Sequence, residues 1–452
     1  MTTRQRLLAS AVTAVACLGT QTLAATAATA ATAATAATAA TAADTVVSRG
    51  VTIPAFCNPP ATLPAADGTL VRSEPLPLAL SLPGLSGTLP GSATRLMYKS
   101  TDSNGQPVAV TGAYIEPTAG WKGDGPRPLV AVAPGTMGQG DQCAASMGLE
   151  HLAVNNQTVS VGYEDLAIYR LLAKGVAVVV TDYAGLGATD RLHTYVNRVY
   201  EAHAVLDAVR AARSLDGTSV TAASPVGLFG YSQGGGATAA AAELQSSYAP
   251  DVTLSGIYAG APPADLTSVT KAIDGSELAG ALGWSLNGFL QSDPSLKPLA
   301  EAHLNAAGKT ALADLSTMCV GDALFGYGYA KSTKWTTDGQ SISDIIAATP
   351  VFQAFLDSQR IGTLKPSGPV RLATGVSDNL VPHAQARQLA ADWCKKGVDV
   401  TYKAVVLPNV GSALLNHFAP LLTDQGDAIS WLTAQLSGKR AASNCWSLPA
   451  QP

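Results

Sequence analysis

The stretch that decides the fold runs from Val226 to Leu244 and reads VGLFGYSQGGGATAAAAEL. An apolar run stops at Gly230, the segment Gly230-Tyr231-Ser232-Gln233-Gly234 matches G-x-S-x-G, and small residues follow from Gly235. Strand, tight turn and helix in that order are what a nucleophile elbow requires. The turn is strained and crowded, so a Cβ at Gly230 or Gly234 would meet neighbouring backbone. Such a turn lifts the Ser232 hydroxyl above the sheet and aims the Gln233 N–H at the place where an oxyanion would form.

A serine hydroxyl is a weak nucleophile until a base takes its proton. With this elbow the partners follow in the order Ser, acid, His. Of six histidines only His383 and His417 come after a plausible acid. Asp378 follows the apolar segment Val370 to Thr374, where the acid should end a late strand. His417 follows the next strand segment, Val398 to Leu407, and is expected on the loop before a last helix from Thr423 to Leu436. His383 stands five residues after Asp378 at the start of a helical stretch, poorly placed to reach over the sheet, so His417 is the preferred base. A second oxyanion donor should come from the loop after an early central strand. That loop is Pro134-Gly135-Thr136-Met137-Gly138, which makes Thr136 or Met137 the candidate donor.

Working outward, Leu129–Ala133, Val176–Val180, Val226–Phe229 and Leu254–Tyr258 are short, wholly apolar runs. They read as central strands of a parallel sheet buried on both faces. A helical stripe from Tyr195 to Leu215 lies between two of them, with His203 an incidental helix residue. The alternation predicts a doubly wound α/β sheet with its ligand at the carboxyl ends of the strands. Ahead of it, Thr94–Tyr98 and Val108–Ile115 form a predicted hairpin around Asn104-Gly105. From 266 to 365 the pattern turns helical and holds Trp284, Phe289, Phe325, Trp335, Phe352 and Phe355. This reads as an inserted helical cap, either with a core of its own or offering an apolar channel over the sheet, and the two can hold together.

The N-terminus is of another kind. Arg4 and Arg6, an apolar run and a small-residue site near Ala24 read as a signal peptide over 1–24. The run is too short for an ordinary membrane span, and no other stretch is long and apolar enough for one. Residues 25–43 are a low-complexity Ala-Thr spacer with no apolar stripe. Cys57, Cys143, Cys319, Cys394 and Cys445 lack metal-ribbon spacing, and export makes disulfides their default, with one thiol left over. Charged residues are 13% of the chain and its net charge is −4. That excludes nucleic-acid binding driven by gross charge and a charge-driven disordered chain.

Together these residues resemble the secretory lipase family of the lipase A type. The resemblance rests on the elbow through Gly235, on Thr181-Asp182-Tyr183-Ala184-Gly185-Leu186-Gly187, on Gly135-Thr136 running to Cys143, on Ser377-Asp378 followed by Val381-Pro382, and on His417. It covers most of residues 50–440. It implies an α/β-hydrolase fold with a mainly parallel central sheet and an inserted cap, and a secreted, cofactor-free, metal-free enzyme acting on acylglycerols or other esters. Ser232, Asp378 and His417 would be its triad, with Gln233 and the Thr136 region its oxyanion site. It also implies the disulfides Cys143–Cys319 and Cys394–Cys445, with Cys57 free. Some members carry Gly directly after the nucleophile, where Gln233 stands here.

The expected organisation is therefore signal peptide 1–24, spacer 25–43, core 44–265, cap 266–365 and core 366–452. The expected activity is that of an exported carboxylester hydrolase, most specifically a triacylglycerol lipase working at a lipid–water interface through an acyl-enzyme. A serine peptidase on the same fold would need an acidic cluster for a peptide amine, and the cap shows none. An acyltransferase would carry the same residues. A non-catalytic lipid-binding protein on this scaffold is expected to have lost a triad member, and all three are present in order.

Overall fold

The Asn104-Gly105 hairpin joins two long strands, Gly91–Thr101 and Pro107–Pro117, paired from Thr101 opposite Pro107 to Gly91 opposite Pro117. Asp102 shapes the loop: its Oδ1 accepts from the Asn104 and Gln106 N–H groups. These strands belong to a nine-stranded sheet. In chain order its members are β1 (Leu70–Leu76), β2 (Gly91–Thr101), β3 (Pro107–Pro117), β4 (Leu129–Ala133), β5 (Ala177–Ala184), β6 (Val226–Tyr231), β7 (Leu254–Gly260), β8 (Val370–Gly375) and β9 (Val400–Val405). Across the sheet the order is β9-β8-β7-β6-β4-β5-β3-β2-β1. Strands β4 to β9 run parallel, and β1 to β3 attach antiparallel at one side.

This computed structural model describes residues 45–84, 87–151, 154–155, 158–159, 162–440 and 442–452. The expected signal peptide (1–24) and Ala-Thr spacer (25–43) lie outside the described residues.

The apolar runs are continuous because each parallel strand is covered on both faces. In β4, Leu129, Ala131 and Ala133 join one core, while Val130 and Val132 join the other. The first core packs under the helices Arg198–Ser214, Gln233–Tyr248 and His383–Lys395; the second packs under Asp165–Ala173 and Ala413–Leu436. The Arg198–Ser214 helix starts three residues later than its stripe predicts. Asn197 caps it, accepting from the Val199 and Tyr200 N–H groups, and so releases Tyr195 from the helix.

Between β7 and β8 the chain leaves the sheet and forms seven helices from Leu266–Ile273 to Pro350–Ser358. They have a core of their own, centred on fully buried Trp284, whose Nε1–H donates to the Leu315 carbonyl at 2.9 Å. Tyr195, Leu380 and Val381, from loops at the carboxyl edge of the sheet, share that core. The helical segment is thereby seated over the strand ends.

One expectation needs correcting. His417 was placed on a loop before a helix beginning at Thr423. The last helix instead spans Ala413–Leu436 and contains both His417 and Pro420. Pro420 has no N–H to give to the carbonyl of residue 416, which is why it reads as a boundary. Ser412 starts the helix upstream by accepting from the Leu415 N–H, and the helix continues past the proline.

Candidate active site

Ser232 lies between β6 and the Gln233–Tyr248 helix with φ 59° and ψ −124°. A non-glycine residue held at positive φ costs on the order of 1–3 kcal/mol and persists only where its surroundings over-determine it. Here the surroundings are backbone. A Cβ at Gly230 would overlap the Gly234 carbonyl, and one at Gly234 would overlap the Ala133 carbonyl of β4. The Ser232 N–H donates to the Gly260 carbonyl of β7 at 2.9 Å.

The turn presents the Ser232 hydroxyl to His417. Ser232 Oγ is 2.8 Å from His417 Nε2, and His417 Nδ1 is 2.7 Å from Asp378 Oδ2. The carboxylate partner assigns the tautomer: Nδ1–H donates to Asp378, leaving Nε2 to accept from the serine hydroxyl. Asp378 is held in turn, its Oδ1 accepting from the Leu380 N–H at 3.1 Å and the Val381 N–H at 3.0 Å. The His417 carbonyl accepts from Tyr231 Oη at 2.6 Å, so the residue before Ser232 also holds the backbone of His417. All three side chains are buried, His417 to 1% exposure. Sequence reading had not singled out Tyr231. Only the packing of the last helix across β6 brings it to that carbonyl.

His383 does not join this group; its Nε2 faces Tyr402 Oη at 3.3 Å. His203 is also apart, with Nδ1 against the Thr101 carbonyl and its ring stacked on Tyr248.

The loop after β4 approaches the elbow from the other side. Its Gly135 N–H donates to Glu164 Oε1 at 2.6 Å, and Thr136 Oγ1 is 2.7 Å from Tyr195 Oη. Met137 is buried, and its carbonyl accepts from the Val320 N–H of the cap at 2.8 Å. Burial pushes the Glu164 carboxyl up to about 8. The Cys143–Cys319 bond ties the end of this loop to the cap, and Cys394–Cys445 joins the His383–Lys395 helix to the C-terminal segment. Cys57 is free and buried, its thiol pushed up to about 12 by desolvation.

Above Ser232 lies a small pocket of about 30 Å³, walled by Gln233, Val196, Leu266, Val269, Leu282 and Phe289. Phe289 also lines a second, almost wholly apolar cavity of about 60 Å³ within the cap, with Leu290, Ile345, Phe352 and Phe355. Among the described residues, no group of three or more His, Cys, Asp or Glu side chains could hold a metal ion. None of the described helices is long and apolar enough to cross a membrane.

The family model for secretory lipases matches residues 150–444. The chain belongs to the secretory lipase family. As a secretory lipase it is an exported, lipase-type hydrolase of ester substrates, and its sheet and cap are those of an α/β-hydrolase. Among similar proteins, a "probable inactive lipase" of Mycobacterium tuberculosis is 29% identical over 85% of this chain and 82% of its own length. Lipase 10 of Candida albicans is 27% identical over 88% and 84% respectively. The closed state of Candida antarctica lipase A superposes with a TM-score of 0.69 at 19% identity, covering 84% of this chain and 85% of that one. The rice cell wall degrading esterase LipA of Xanthomonas oryzae reaches 0.67 at 20% identity, covering 83% and 100%. At such identities the structural matches speak for the fold alone.

Proposed function

We propose that this secretory lipase hydrolyses acylglycerols through an acyl-enzyme formed on Ser232. The observation that carries the reading is the unbroken chain Ser232 Oγ, His417 Nε2, His417 Nδ1, Asp378 Oδ2, with both links under 3 Å. His417 removes the hydroxyl proton as Ser232 Oγ attacks the ester carbonyl, and Asp378 steadies the imidazolium that forms. The tetrahedral oxyanion is met by the Gln233 N–H, which opens its helix and so lacks an intrahelical partner, and by an N–H of the Thr136–Met137 segment. Collapse passes the proton from His417 to the departing alcohol. Water, deprotonated by His417, then attacks the acyl-enzyme and releases the fatty acid.

The cap supports an acyl-chain substrate. Its walls over Ser232 are mostly apolar, and Phe289 also lines a second apolar cavity into which a longer chain could pass. Phe325 and Tyr329, both exposed on the cap, suit contact with a lipid–water interface.

The test is hydrolysis of p-nitrophenyl esters and triglyceride emulsions of several chain lengths, beside Ser232→Ala. Activity surviving that substitution would sink the mechanism. Cleavage of peptide amides instead of esters would sink the substrate class, and acyl transfer to added alcohol outrunning hydrolysis would make the protein an acyltransferase. One relative's name, a probable inactive lipase, raises a non-catalytic reading. That reading requires Ser232 to resist labelling by a fluorophosphonate, whereas the triad geometry predicts rapid labelling.

A further inference from the structure

Gln233 has a side chain as well as an N–H, and the amide nitrogen of that side chain has two partners. Its Nε2 lies 2.7 Å from Glu201 Oε1 and 3.1 Å from His193 Nε2. His193 Nδ1 is 3.0 Å from the Ala184 carbonyl, so the ring proton sits on Nδ1 and Nε2 is an acceptor. Both amide protons of Gln233 are therefore donated, one to each neighbour. Burial holds the ring neutral by lowering the His193 pKa to about 4, which keeps Nε2 an acceptor. Gln233, Glu201 and His193 are all buried, His193 to 0% exposure.

The same carboxyl oxygen does a second task. Glu201 Oε1 also accepts from the Val196 N–H at 2.9 Å, and Val196 stands at φ 54° in a strained turn. That turn carries Tyr195, whose hydroxyl meets Thr136 Oγ1 in the loop on the far side of the elbow. The segment from His193 to Val196 thus touches both flanks of the space where the oxyanion would form. It holds Gln233 on one side and Thr136 on the other.

We infer that Glu201 and His193 are positioning residues, which clamp the Gln233 carboxamide and through it fix the direction of the Gln233 N–H at the oxyanion. The Ser232–Gln233 peptide follows a residue in a high-energy backbone conformation. The carbonyl end of that peptide is held by the Gly236 N–H at 3.0 Å, and the side-chain bonds of Gln233 restrain the residue that carries its N–H end. Made inside a dry site, those two side-chain bonds act at no cost during the reaction. The role asks only for an acceptor at Oε1. Burial pushes the Glu201 carboxyl up to about 8, toward the neutral form that Glu201→Gln imitates.

The inference rests on the proposed use of Ser232 and the Gln233 N–H, and the experiment separates the two. Glu201→Met removes the acceptor, and Glu201→Gln keeps an oxygen able to accept both bonds. Kinetics on p-nitrophenyl butyrate are measured with inhibition by a trifluoromethyl ketone, whose adduct carries the oxyanion. Glu201→Met should lower kcat by about tenfold to a hundredfold with KM within about twofold, and weaken the ketone by the same factor as kcat. Glu201→Gln should restore kcat to within about threefold of the parent. Should Glu201→Met fail to fold, Gln233→Met and the double variant, which removes both partners of the bond, carry the test. Each should then show that same kcat loss, because one device is broken at either end. Unchanged kcat in folded Glu201→Met or Gln233→Met, or a loss in KM alone, would overturn the inference. So would Glu201→Gln as slow as Glu201→Met. A parent enzyme without Ser232-dependent activity would instead overturn the proposed function.

Discussion

Asp378→Asn is the sharpest probe of the proposed triad, because the structure decides which way the new amide must face. Asp378 Oδ1 accepts two backbone N–H groups, from Leu380 and Val381. An asparagine in the same rotamer must put its carbonyl oxygen there, since an NH₂ would oppose two donors with a third. The NH₂ then takes the place of Oδ2, 2.7 Å from His417 Nδ1. Nδ1 is forced to accept, the ring proton moves to Nε2, and Nε2–H faces Ser232 Oγ, where it cannot take the hydroxyl proton. The substitution is isosteric and keeps a partner at each of the three hydrogen bonds Asp378 makes, so folding should be spared. The cost of a wrong tautomer is on the order of 10⁴ in kcat, about 5.4 kcal/mol. The assay is steady-state hydrolysis of a soluble p-nitrophenyl ester, with thermal melting as the control. Asp378→Ala, which leaves the imidazole free to choose its tautomer, should be no slower than Asp378→Asn. Retention of more than a tenth of kcat in Asp378→Asn, or a clearly slower Asp378→Ala, would refute the reasoning.

Three further outcomes are expected. Phe289→Ala should remove the ring that lines both cap cavities and raise the preference for long-chain over butyryl esters by about tenfold in kcat/KM, from the few methylenes newly accommodated; an unchanged chain-length profile would count against a continuous acyl path. Replacing Cys143 and Cys319 together by Ala frees a closure of 176 residues, which chain entropy values at about 5 kcal/mol; urea denaturation should register most of it, and a loss under about 1 kcal/mol would place the tie outside the stability of the fold. Glu164 and Glu201 are both raised from 4.5 to about 8 by burial, so the folded protein keeps protons that the unfolded chain releases, and stability should fall as pH rises from about 5 to 8. Melting temperatures across that range should show the slope, and Glu164→Gln should flatten it.

The elbow turn and the place of Asp378 at a strand end were legible because their signals are local. Gly230 and Gly234 answer to clashes within one turn, the β4 and β6 runs are apolar because both faces of each strand are covered, and Asp378 follows an apolar strand directly. The position of His417 was half legible. Chain order pointed to the residue, but Pro420 disguised its helix, since the proline's missing N–H is tolerated inside Ala413–Leu436. The anchoring of Gln233 was not legible at all. Glu201 sits in a helix whose buried face is mostly alanine and valine, and nothing nearby in the sequence says that its carboxyl meets a residue 32 positions away. His193 precedes Asp378, and chain order carries information only for a histidine that follows the proposed acid. Long-range contacts of this kind follow from how the Arg198–Ser214 and Gln233–Tyr248 helices lie together on one face of the sheet. The packing that makes Glu201 invisible to pattern reading is also what suits it to the task, because only a buried, immobile acceptor can hold the Gln233 amide against the strained turn at Ser232.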